Sequence, residues 1–203
     1  MLEENDVASV EDLRALMVEQ LEELQRWLNG SETDPLVSFY YGDKRVDENT
    51  ARNRIVDQLQ GQMKALGLSI VIERYMAGGN RCDITASAIL EGRNRLLVTE
   101  VKGQWNDELY SAAAAQLDQR YAIHPDAARQ GVYIALWFGN GEKVNGLVDA
   151  SVTSAGDLKA RILDKMTDEL KARVDVVVLD LSRPPKLPKP PKKTSAKKAA
   201  PKN

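Results

Sequence analysis

The segment from Arg95 to Lys102 limits the fold more than any other stretch of the chain. Leu96 and Val98 fall on one face of an extended run, and the same face ends in Glu100 and Lys102, because residues two apart in a strand point the same way. A carboxylate and an ammonium closing an apolar stripe belong where a buried strand meets the mouth of a sheet. Desolvating either group costs on the order of several kcal/mol unless it has a partner or a ligand. Two more strand-like runs precede this one, Leu68 to Tyr75 and Arg81 to Leu90. The separators Ala77-Gly78-Gly79-Asn80 and Glu91-Gly92-Arg93-Asn94 are hairpin-turn material, so three antiparallel neighbours are expected.

Helical periodicity surrounds this hairpin set. Val10, Leu13, Leu16, Met17, Leu21, Leu24, Trp27 and Leu28 recur at three and four over residues 8–28, an amphipathic helix closed by Gly30. Its stripe needs a covering surface, either the rest of the domain, a second copy in a homodimer, or a partner protein. A second helix is expected from Asp47 to Leu66, with Ile55, Leu59, Met63 and Leu66 on one face, Glu48 on that face seven residues earlier, and Gly67 as the C-cap. After the strands come a helix over residues 106–122, a buried strand over Val132 to Phe138, a helix over Ala155 to Ala172 and a buried strand over Val174 to Leu181. The fold class expected is α/β, a central mixed β-sheet flanked by helices in the order α-β-β-β-α-β. The organisation expected is an N-terminal helix and connection over 1–46, a domain over 47–181, and a disordered Lys/Pro-rich tail over 182–203.

Composition removes several kinds of chemistry. The 203 residues include one cysteine, Cys82, and one histidine, His124, so an internal disulfide and Cys- or His-based metal centres are excluded. A metal site would be built from oxygen ligands, which suit Mg2+ or Mn2+. The first six residues are acidic and no apolar run approaches the roughly 18–20 residues needed to span a bilayer, so a cytoplasmic protein is expected. Charge is uneven: residues 182–203 hold Arg183 and seven lysines without an acid, which leaves 20 basic against 30 acidic residues elsewhere.

Asp83 lies on the strand before Glu100, with Thr85 and Ser87 on its side, and two carboxylates on adjacent strands can converge on one divalent cation. An acid two residues before a lysine also occurs at Asp157/Lys159 and Glu169/Lys171, but those pairs fall in helices, where positions two apart diverge. The bland alternative for the strand pair is a structural salt bridge from Lys102 to Asp83 or Glu100. The run Arg81-Cys82-Asp83-Ile84, then Val98-Thr99-Glu100-Val101-Lys102, Trp105, and Gln116-Leu117 to Tyr121 resembles the core of the PD-(D/E)XK nuclease superfamily over about residues 47–139. More narrowly, it is similar to nuclease-like domains at the C-terminal end of large bacterial proteins. No proline precedes Asp83, a departure from the family pattern.

That resemblance implies a restriction-endonuclease-like core and a metal-dependent nuclease acting on nucleic acid, DNA rather than RNA. Asp83 and Glu100 become the metal ligands together with the backbone carbonyl of Val101, Lys102 the residue that orients water, and Glu48 an additional carboxylate for which Glu73 competes. Glu48 reads equally as a helix-start acid stabilised by the macrodipole. Gln116 joins the catalytic set and Arg120 grips phosphate, with pairing of Arg120 to Asp118 or Glu108 as the structural alternative. The tail cations Lys186, Lys189, Lys192, Lys193, Lys197 and Lys198 suit phosphate backbone without sequence preference. A catalytically silent nuclease-fold module for nucleic-acid binding or assembly is the other functional reading. Gly139-Asn140-Gly141-Glu142-Lys143 lacks the Gly-Lys-Ser/Thr ending of a phosphate loop and reads as a turn. His124 beside Pro125 reads as a helix-end residue and Cys82 as a buried structural thiol.

Overall fold

The computed structural model describes residues 7–76, 81–146 and 152–183. Five strands form one sheet in the order β3-β4-β5-β6-β7: β3 (Ser69–Tyr75), β4 (Arg81–Leu90), β5 (Arg93–Gly103), β6 (Gly131–Trp137) and β7 (Val174–Asp180). The first three are antiparallel, as the turn residues required, and β5, β6 and β7 run parallel. The β4–β5 turn is tighter than the four-residue separator read from sequence. Leu90 pairs with Arg93, and Glu91 and Gly92 both have positive φ, 49° and 72°, the two-residue turn whose twist matches a hairpin. A separate two-stranded hairpin, β1 (Tyr40–Tyr41) with β2 (Lys44–Arg45), precedes α2 (Glu48–Ala65).

One sheet face is covered by α1 (Val10–Gly30) and α2. Ser9 and Asp12 form a reciprocal cap at the start of α1. Its apolar stripe of Val10, Leu13, Met17, Leu21, Leu24 and Leu28 enters the same core as Ile55, Leu59 and Met63 of α2 and Leu97, Val101, Ile134 and Leu179 of the sheet. Burial of this kind contributes about 1.5–3 kcal/mol per large side chain. The stripe offered above to a second copy or a partner protein is therefore covered within the chain. The Gln25 amide also occupies the β7 edge, accepting from Asp180 N at 2.7 Å and donating to Asp180 O at 3.1 Å. An edge strand so engaged presents fewer free groups to another chain.

The other face packs Cys82, Leu96, Val98 and Tyr133 against Leu109, Ala113, Leu117 and Tyr121, and against Leu158 and Ile162 of α3 (Ala155–Asp164). Two expected helices differ in form. Residues 106–122 make turns and then a π-helix, Ala113–Tyr121; the alanine run lets this segment lie close to β6, where a Cβ on Gly131 would stand 2.9 Å from Leu117. The helix expected over Ala155 to Ala172 is split, because Thr167 caps a short α4 (Asp168–Lys171) by accepting from Leu170 N. No helix among the described residues is long and apolar enough to cross a membrane. The tail expected to be disordered over 182–203 begins later: Ser182 donates to Asp180 Oδ1 and Arg183 donates to Gly42 O at 2.7 Å, while residues 184–203, with the six named lysines, lie outside the described residues.

Candidate functional site

The antiparallel ladder between β4 and β5 stops at Ile84 and Thr99. One step further the strands separate, and the Asp83 side chain takes over, its Oδ2 accepting the Val101 N–H at 2.9 Å. Asp83 Oδ1 accepts from Arg52 Nη1 at 3.1 Å. Glu100 is the most deeply placed acid here, 2% exposed. Its Oε1 accepts from Lys102 Nζ at 2.6 Å, while its Oε2 is buried without a hydrogen-bond partner. Burial, reinforced by the charge of Asp83, pushes the Glu100 carboxyl up to about 7, with Lys102 pulling the other way. Burial is the largest influence on the Lys102 ammonium and acts to lower it, but the charge and hydrogen bond of Glu100 with the charges of Glu48 and Asp83 together outweigh it, and the net direction is upward. Lys102 is thus cationic at neutral pH.

Glu48 reaches the same end of β5 from the first turn of α2. Its Oε2 accepts the Gly103 N–H at 2.6 Å, and both its oxygens accept from Asn106 Nδ2. Its charge acts on Glu100 and Lys102. Glu73 is engaged by two arginines: one oxygen accepts from Arg52 at 2.9 Å and the other from Arg81 at 3.3 Å. Among the described residues no three His, Cys, Asp or Glu side chains gather closely enough to hold a metal ion.

Of the residues named from sequence, Asp83, Glu100, Lys102 and Glu48 come to one end of the sheet. Gln116 is buried, with its amide on Glu108 rather than on Lys102. Arg120 is exposed; Asp118 is held by Arg129 and Arg173, and Glu108 by Gln116. Cys82 is fully buried, donates to Ile84 O and Thr99 O, and burial pushes its thiol up to about 12. His124 caps the turn at Asp126. The 139–146 segment is a turn tied by Gln104, whose amide reaches Gly139 O, Glu142 O and Phe138 N. Gly103 has no room for a Cβ beneath the Trp105 indole, and Arg45 covers that ring at 3.2 Å.

Sequence reasoning missed Arg52 and Asn106, the direct partners of Asp83 and Glu48. A signal for Arg52 existed: it lies four residues after Glu48 and three before Ile55, so a guanidinium occupies the apolar face of α2.

No protein-family model, curated protein or solved structure matches the chain. What the structure defines is an architecture, a mixed sheet flanked by helices in the restriction-endonuclease-like order α-β-β-β-α-β with an additional N-terminal helix. An acid-x-Lys strand ends at its mouth.

Proposed function

We propose that the chain is a PD-(D/E)XK-type nuclease that hydrolyses nucleic-acid phosphodiesters, DNA rather than RNA, with Mg2+ or Mn2+. The observation that carries this reading is the buried, unpartnered Oε2 of Glu100 beside the Lys102 ammonium. A buried carboxylate oxygen without a donor is a costly group unless a cation or proton meets it. By chemistry the donors suit a hard cation, since Glu100, Asp83 and Glu48 offer only oxygen, but as they stand the three do not gather on one point and would have to move to share an ion. Glu100 and Asp83 would hold the ion, with the Val101 carbonyl completing the set, and Glu48 would join by leaving the Gly103 amide. When bound, the cation supplies charge stabilisation at the phosphoryl oxygens and acidifies a water.

The chain's own residues do the rest. Lys102, cationic and held on the Glu100 face, orients the attacking water and offsets charge on the phosphate. Glu48 and Asn106 fix the backbone where β5 ends, which sets the direction of the Lys102 side chain. Arg120 and the tail lysines 186, 189, 192, 193, 197 and 198 supply phosphate contacts, and Gln116 steadies the segment facing the site through Glu108. The test is cleavage of plasmid DNA and of RNA oligonucleotides with Mg2+ or Mn2+, against chelator and against Lys102→Ala. Metal-dependent cutting lost in the folded variant supports the reading; no cutting across several divalent metals overturns it.

A second reading has its own observation. The acids are engaged within the protein, Asp83 with Arg52 and Val101, and Glu48 with Gly103 and Asn106, and no three of them form a ready cluster among the described residues. A silent nuclease-fold module that binds nucleic acid through its basic segments accounts for that. It predicts nucleic-acid binding unaffected by chelator or by Glu100→Ala, and no cleavage.

A further inference from the structure

Arg52 is 3% exposed, and a guanidinium so placed persists only where acceptors surround it. Four contacts do so. Nε and Nη2 donate to Asn53 Oδ1 at 3.2 and 3.1 Å, Nη2 donates to Glu73 Oε1 at 2.9 Å, and Nη1 donates to Asp83 Oδ1 at 3.1 Å. The fork spans two carboxylates on neighbouring strands from a helix that crosses them. A lysine ammonium at this position has neither the planar fork nor the reach in two directions.

Glu73 is shaped to serve this contact. Its φ of 53° is in the left-handed region, uncommon for a residue with a side chain and held only where surroundings determine it. The β3–β4 register passes from Ile72 and Ile84 to Arg74 and Cys82, leaving Glu73 and Asp83 without a ladder pair at this step. The break turns the Glu73 carboxylate to Arg52 on one oxygen and to the half-exposed Arg81 on the other. A continuous chain of contacts results: Arg81, Glu73, Arg52, Asp83 and then the amide of Val101, the residue between Glu100 and Lys102.

We propose that Arg52 is a positioning residue: its buried guanidinium, anchored by Glu73, holds Asp83 on the Val101 amide and thereby sets the aim of Glu100 and Lys102. The placement of Asp83 stands on geometry alone, while its consequence for metal binding rests on the nuclease reading above.

The experiment compares full-length wild type, Arg52→Met, Arg52→Lys, Glu73→Ala and Asp83→Ala. Two readings are taken: the Val101 amide by NMR shift and hydrogen exchange on chelated protein, and Mn2+ affinity by calorimetry. In Arg52→Met the Val101 amide shifts and exchanges as it does in Asp83→Ala, and Mn2+ binds about 10–100-fold more weakly, the usual loss when the partner orienting a ligand is removed. Arg52→Lys fails to restore either reading. Glu73→Ala, changed at a partly exposed site, moves the Val101 amide in the same direction and carries the test if Arg52→Met does not fold. A Val101 amide unchanged in folded Arg52→Met or Glu73→Ala overturns the proposal, as does full rescue by lysine. If wild type binds no Mn2+ and cleaves nothing, the nuclease reading fails, and the Val101 amide still decides the role of Arg52.

Discussion

Glu100 makes the metal-free protein less stable as pH rises from 5 to 8, opposite to the usual behaviour of a carboxylate. An acid whose folded value is raised contributes stability below its unfolded value and loses it as pH climbs through the folded one. The gap between about 7 and the ordinary 4.5 corresponds to about 3 to 4 kcal/mol at ~1.4 kcal/mol per pH unit. Between pH 5 and 8 the loss is about 2 to 3 kcal/mol, since part of the penalty is already present at pH 5. Lys102, raised from 10.5, contributes fully below that value and does not change in this window. Asp12, Asp47, Glu73, Asp157 and Glu169 are lowered; their contributions are lost only at more acid pH. The assay is urea unfolding in chelator at pH 5 and 8, for wild type and Glu100→Gln. Wild type loses stability across the window and the variant does not. Equal slopes, or a wild type that gains stability at pH 8, would mean that Glu100 is not held above its ordinary value in the folded protein. Adding Mn2+ stabilises the wild type more at pH 8 than at pH 5, because the ion binds ionised Glu100 and binding to the folded state raises stability by mass action.

Gly131→Ala places a Cβ 2.9 Å from the Leu117 side chain within the buried face of β6, and chemical unfolding should register about 1–3 kcal/mol of destabilisation. Gln25→Ala removes both contacts to the Asp180 backbone on the β7 edge, a loss of about 1–3 kcal/mol in the same assay. Deleting residues 184–203 removes seven lysines, so the slope of log K against log salt for DNA binding, measured by fluorescence anisotropy, should become shallower by up to about 6.

The parts of the fold readable from sequence were those with a strong period. The α1 stripe, the Ile55/Leu59/Met63 face of α2 and the Leu96/Val98 face of β5 each fix a face before any tertiary contact is known; all are buried except Leu16 and Trp27 of the stripe, Leu16 half-buried and Trp27 exposed, and β5 is buried on its other face as well. Glu100 and Lys102 stood out because two charges closed an apolar stripe, and they meet at 2.6 Å. Less was readable where one backbone choice decides the outcome. An alanine-rich run favours a helix but does not say that it is wound as a π-helix. Nothing in the sequence announces a left-handed backbone at Glu73, so its carboxylate reads from sequence as a candidate metal ligand, whereas it partners Arg52 and Arg81. The same holds for Glu48, whose position on the helix face was evident but whose acceptance of the Gly103 amide depends on where β5 ends.

Soaking crystals of the chain in Mn2+ and recording anomalous scattering shows whether Glu100 holds an ion. The nuclease reading predicts one ion about 2.1 Å from Glu100 Oε2, a distance typical of hard octahedral cations, shared with Asp83 and with Lys102 shifted off Glu100. An intact Lys102 to Glu100 contact with no ion beside it, at Mn2+ concentrations that support cleavage by related chemistry, contradicts it.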